Sequence, residues 1–111
     1  MAIQIFGTKK CQDTKKAERW FRERGARFQL IDLADKGISP GELRSVVAAL
    51  GLDAIVDRGG RRWRDKGLEH MEIDLEEELL ADPLLLKTPI VREGRKAVVG
   101  YAPEGWKALL G

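Results

Sequence analysis

Within its first 33 residues the chain reads as strand, helix, strand, and this unit restricts the possible fold more than anything after it. Ala2 to Phe6 is a short apolar run of strand type, which Gly7 and the polar residues beyond it interrupt. From about Gln12 the spacing turns helical, with Ala17, Trp20 and Phe21 at i, i+3 and i+4 before Gly25 stops it. Ala26 to Leu33 then alternates as a second strand. A βαβ unit of this size makes the two strands parallel, with a right-handed crossover.

The only cysteine, Cys11, falls where the loop becomes the helix. There the first unpaired N–H groups and the positive end of the helix dipole favour an anion. The thiolate is the nucleophilic form of cysteine, and Lys9 and Lys10 beside it favour that form. The competing reading is that a lone cysteine is a small buried hydrophobe. Against it, Lys9, Lys10, Gln12, Asp13, Lys15 and Lys16 surround the thiol with solvent-seeking groups. Local sequence alone leaves both readings open.

Farther along, Ala34 to Ile38 form a polar connection. Ser39-Pro40-Gly41-Glu42 is a helix start, a capping box with proline at the first helical position. Leu43, Val46, Val47 and Leu50 make its apolar stripe, and Gly51 ends it. Residues 52–73 carry weaker signals. Ala54 to Val56 fit a short helix or a packed turn, and Arg58-Gly59-Gly60-Arg61-Arg62-Trp63-Arg64 is a basic stretch whose glycines permit a sharp turn. Asp74 is placed to cap a helix with Leu75, Leu79 and Leu80 inward, and Asp82-Pro83 starts a further helical turn through Leu86. Pro89 to Arg92 and Lys96 to Gly100 form a hairpin about Glu93-Gly94, and Pro103 opens a last helix bearing Trp106, Leu109 and Leu110. The order β-α-β, helices, β-β-α fits one four-stranded mixed sheet in a single domain, residues 1–111, with a helical insertion at about 39–86.

At 111 residues, 43% hydrophobic and 34% charged, the chain has the composition of a globular domain with a real core. Its longest apolar runs are too short for a membrane helix. The amino terminus enters a strand directly with no signal-peptide layout, and one cysteine cannot form an internal disulfide, so a cytoplasmic setting is expected. A net charge of +2 does not by itself call for nucleic acid, and the acids from Glu69 to Glu78 reverse the sign soon after the arginine block. One cysteine and one histidine, His70, fall short of a zinc ligand set, so no metal and no bound cofactor are expected. His70 lies among acids and reads as a surface residue. Trp20, Trp63 and Trp106 read as packing residues.

These features resemble the ArsC/Spx/YffB family of thioredoxin-fold proteins. The resemblance is carried by the stretch from Gly7 to Ala17, the block from Arg58 to Arg64, Thr88-Pro89-Ile90-Val91 and Val99-Gly100-Tyr101. It implies a thioredoxin-like, glutaredoxin-type fold, with Cys11 as the reactive thiol and Pro89 as a cis proline beside it. Arg58 matches an arginine that faces the site in arsenate reductases. Two further arginines of those enzymes are replaced here, by Thr88 and Tyr101. Most of the bidentate oxyanion grip is therefore missing and arsenate reduction is not the expected activity. Thr14 stands where Spx proteins often carry a second cysteine, which rules out that intramolecular switch.

The activity these residues suggest is monothiol exchange linked to glutathione or glutaredoxin. In this reading Cys11 is the nucleophile, and Thr14 and Lys10 stabilise its thiolate. Lys9, Arg58, Arg64, Thr88 and Pro89 contact substrate, with glutathione as co-substrate. Thr14 has a plainer alternative as a helix-start hydrogen-bonding group, and the two lysines as solvated charges. The other functional class is an Spx-like regulator that binds the RNA polymerase α subunit.

Overall fold

A computed structural model describes residues 2–111. Strands β1 (Ile3–Gly7), β2 (Phe28–Asp32), β3 (Ile90–Glu93) and β4 (Lys96–Val99) form a sheet in the order β2-β1-β3-β4. β1 runs parallel to β2 and antiparallel to β3, and β3–β4 is the expected hairpin. Helix α1 (Gln12–Glu23) makes the crossover between the parallel strands, and α6 (Pro103–Leu109) ends the chain. Between β2 and β3 lie α2 (Pro40–Leu50), α3 (Leu52–Ile55), α4 (Arg61–Asp65) and α5 (Leu75–Ala81), with 3-10 turns at Leu68–His70 and Pro83–Leu85.

The two-residue period of the strands divides the core in two. Ile3 and Ile5 of β1 and Val91 of β3 face one side, where Ala17 and Phe21 of α1 and Trp106 and Leu109 of α6 cover them. Phe6 and Ile90 face the other side and join Leu43, Val46, Ile55, Trp63, Leu79 and Leu86 of the connecting segment. Gln4 and Arg92 are cross-strand partners on that second face, and they are satisfied rather than exposed. Arg92 donates to the Gln4 side-chain carbonyl and to Ser45 Oγ (3.2 Å), and Gln4 donates to Glu42 Oε2 (3.1 Å). This polar strip fastens α2 to the sheet.

The α2 cap forms as the sequence requires. Ser39 Oγ accepts from the Glu42 N–H at 3.1 Å, and Glu42 Oε1 accepts from the Ser39 N–H at 3.0 Å. Ser39→Ala is therefore expected to cost about 1 kcal/mol, to be read as a few degrees of Tm in thermal unfolding. Asp74 likewise caps α5, accepting from the Glu77 N–H at 3.3 Å.

Several boundaries differ from expectation. Gly7 completes β1 instead of breaking it: it pairs with Asp32, and its carbonyl accepts from the Leu33 N–H at 2.9 Å. What requires glycine is close approach, since a Cβ here would run into the Thr14 side chain. The second strand is shorter than 26–33, because Ala26 closes the turn after α1 by bonding to the Phe21 carbonyl at 3.0 Å. The arginine block is not all loop. A turn closed from the Gly60 N–H to the Asp57 carbonyl leads into α4, which is held by burial of Trp63.

Candidate active site

Cys11 is the N-cap residue of α1, half-buried, with extended backbone and a free thiol. Two chain segments meet at its sulfur. The first turn of α1 supplies the backbone N–H groups of Asp13 and Thr14 and the Thr14 hydroxyl. The loop before β3 supplies Thr88, whose carbonyl lies 3.6 Å from Sγ, and the cis Thr88–Pro89 bond. Pro89 is buried, and its carbonyl accepts from the Gly100 N–H at 2.8 Å, tying that loop to the end of β4.

Thr14 is the most constrained of these residues. It is only 1% exposed, packs on Gly7, and its hydroxyl has no hydrogen-bond partner among the described residues. An unsatisfied buried hydroxyl is destabilising unless something nearby can accept its proton. The Thr14 hydroxyl is one of the groups that lower the pKa of Cys11.

The balance at Cys11 follows. Burial is the largest single influence and pushes the thiol up. The Thr14 hydroxyl, Thr88 and the N–H groups of Thr14 and Asp13 outweigh it and bring the pKa below the ordinary thiol value. The bond to the Thr88 carbonyl is one the neutral thiol donates, and it is lost with the proton, whereas the Thr88 side chain is among the groups that favour the charged form.

A cavity of about 470 Å³ opens beside the loop that leads to Cys11, which does not itself line it. Thr8, Lys9, Lys10 and Thr88 line it on the thiol side. Asp32, Asp57, Leu84 and Leu86 form the other walls. An antiparallel bridge between Val56 and Leu86, with the Asp57 N–H donating to the Leu85 carbonyl (2.9 Å) and the Lys87 N–H to the Ile55 carbonyl (2.7 Å), holds these walls together. Lys9 and Lys10 are exposed and have no carboxylate within ion-pair distance among the described residues.

Cys11, Thr14, Thr88 and Pro89 are thus brought together, and Lys9 and Lys10 line the adjoining cavity. Arg58 and Arg64 do not line it. The turn at residues 57–60 directs Asp57 inward, while Arg58 pairs with Asp53 (3.0 Å) and lies over the Trp63 ring at 5.1 Å. Arg58 borders a second cavity with Glu69 and Met71, and Arg64 a third with Gly67 and the exposed His70. Tyr101 packs edge-on against Trp106, with the Lys16 ammonium 5.1 Å from its ring centre. Asp32, Asp57, Leu84 and Leu86 went unmarked in the sequence because they come from separate elements. The available signal was the position of Asp32 at the carboxyl end of a parallel strand, where ligand crevices of α/β sheets lie.

A thiol at the amino end of the first helix, beside a cis proline at the same end of a β2-β1-β3-β4 sheet, defines a thioredoxin-like protein. More narrowly, the chain belongs to the ArsC family, whose model matches residues 6–109. It is 32% identical over 108 residues to the uncharacterized protein YusI of Bacillus subtilis, covering 91% of this chain and 92% of that one. The global transcriptional regulator Spx 2 of Oceanobacillus iheyensis is 27% identical over 115 residues, covering 99% and 84%. Among solved structures, a YffB protein superposes with a TM-score of 0.85 at 27% identity, covering 98% and 99%. An arsenate reductase from Vibrio cholerae does so at 0.84 and 21%, covering 98% of both chains, a likeness of fold alone. No helix among the described residues is long and apolar enough to cross a membrane.

Proposed function

We propose that this single-domain chain is a monothiol thiol/disulfide reductase of the cytoplasm, linked to glutathione or glutaredoxin. The observation that carries the reading is a half-buried thiol at a helix start whose pKa is brought below the ordinary value by Thr14, Thr88 and the first N–H groups of the helix, with the Thr14 hydroxyl buried and free to donate. The Cys11 thiolate attacks one sulfur of glutathione disulfide or of a mixed disulfide. An Sγ–S bond forms, the substrate S–S bond breaks, and the departing thiolate takes a proton from water. A second thiol, from glutathione or glutaredoxin, attacks the new disulfide and releases Cys11 as thiolate. The resolving thiol comes from outside because the residue three positions on is Thr14. Lys10 adds positive charge near the sulfur, and Lys9, Thr88 and Pro89 contact the substrate. Arg58 and Arg64 have no part in this scheme as their side chains stand. Arsenate reduction fits poorly, since threonine and tyrosine occupy the positions of two oxyanion-binding arginines.

The test is the pH dependence of Cys11 alkylation, followed by mass spectrometry after exposure to glutathione disulfide. The expected result is a thiolate formed well below the free-cysteine value of about 8.5, with one glutathione on Cys11. An ordinary thiol with no adduct would overturn the reading. It would leave the second one, an Spx-like regulator that binds the RNA polymerase α subunit, which the near full-length match to Spx 2 favours.

A further inference from the structure

Two carboxylates in the cavity beside Cys11 are left over by the exchange mechanism. Asp32 ends β2 and Asp57 opens the turn before α4; both are half-buried and both line the cavity. Neither has a cationic side chain within 4.0 Å among the described residues. Asp32 Oδ1 accepts from the Ala34 N–H at 3.0 Å, which leaves its second oxygen free. The Asp57 carboxylate lies against the backbone of Gly60, where even a Cβ would collide with it. Neither carboxylate has a cationic partner, and a cation inside the cavity that both line would supply one. The cavity's own lysines stand exposed on the thiol side and do not close on them.

We propose that Asp32 and Asp57 hold the ammonium group of an amine-bearing thiol or disulfide whose sulfur is delivered to Cys11. They are specificity residues for low-molecular-weight aminothiol compounds, and this rests on the exchange chemistry assigned to Cys11. Leu84 and Leu86 give the cavity an apolar wall for the carbon chain between amine and sulfur. Lys9 and Lys10 suit the carboxylates of a zwitterionic compound. A γ-glutamyl thiol presents one ammonium and two carboxylates, so its charges match the cavity's in sign. An oxyanion lacking an amine leaves the two carboxylates without a cation. In the reaction, Cys11 Sγ bonds to the sulfur nearer the anchored amine, the S–S bond breaks, and the distal thiolate leaves to solvent. Cys11 is oxidised and the departing sulfur reduced, with no other electron donor required.

The test compares the rate of Cys11 attack on cystamine, a disulfide with an ammonium at each end, with its attack on neutral 2-hydroxyethyl disulfide. Asp32→Asn and Asp57→Asn keep the side-chain shape and remove the charge. Each is expected to lower the cystamine-to-neutral rate ratio by about threefold or more, as loss of a close charge partner does. Equal ratios in all three proteins overturn the proposal. A measurement on the unmodified chain needs no variant: the ratio must fall as salt screens the contact, and a salt-independent ratio counts against the site. Glutathione disulfide and its N-acetylated form make the second arm, the free amine reacting faster and losing that advantage in Asp57→Asn. If neither glutathione form reacts while the cystamine ratio behaves as described, the glutathione link falls and the amine site stands. If Cys11 reacts with no disulfide at all, both fall.

Discussion

Replacing Thr14 by valine is expected to raise the pKa of Cys11 and to slow its alkylation at pH 6 by roughly tenfold, about what one hydrogen bond to a charged group is worth. Valine keeps the shape that packs on Gly7, so the substitution removes a hydroxyl and little else. The upward push of burial then acts with one opposing group fewer. Well above the titration, where the thiolate is complete in both proteins, the two rates should converge. Cys11→Ser sets the zero of the assay. A group whose pKa is lower folded than unfolded adds stability above the unfolded value, and that stability is lost as pH falls through the folded value. The cost of Thr14→Val should therefore appear at pH 9 to 10. At pH 6, where the hydroxyl is buried without a partner, the variant should unfold at the same temperature or higher. An unchanged alkylation profile would remove Thr14 from the site.

Asp82→Ala is the second large effect, expected to cost about 2 kcal/mol and roughly 8 °C of Tm. The Asp82 carboxylate accepts from Arg62 Nε at 2.8 and 2.7 Å and from Lys66 Nζ at 3.0 Å. It is 7% exposed, whereas both cations reach into solvent. Water screens those partners, which places the effect below that of a fully buried pair. Burial pushes the Asp82 carboxyl up, but Arg62 and Lys66 overcome it and hold the pKa below the usual carboxylate value. Its contribution is thus complete above about pH 4 and disappears as pH falls through the lower folded value. The difference in Tm between the two proteins should shrink in acid and vanish once Asp82 is protonated; a constant difference would refute the ion-pair account. The same contacts secure α4 to the turn that carries Leu84, one wall of the cavity, so under the exchange mechanism proposed above the variant should also bind disulfides more weakly.

The candidate site was partly readable before any coordinates. Cys11 stood out because a strand, a polar loop and an amphipathic helix are local patterns, and a helix start has a known electrostatic sign. Thr14 and Pro89 were identified through the resemblance. Arg58 and Arg64 show the opposite case. Their place within a basic run says nothing about which way a turn faces, and burial of Trp63 set α4 so that both arginines border other cavities.

By itself, then, the sequence determined the order of elements, the parallel pairing of the first two strands, the caps at Ser39 and Asp74, and the thiol at a helix start. Each follows from residues within a few positions of one another, where backbone sterics and periodicity act directly. Tertiary structure alone decided that Gly7 stays in the strand to admit Thr14, and that Thr88 meets Cys11 where β1 and β3 lie side by side. It also decided that Asp32, Asp57, Leu84 and Leu86 share one cavity. Those contacts join residues far apart in the chain, and only burial of the two cores on either side of the sheet brings them into register.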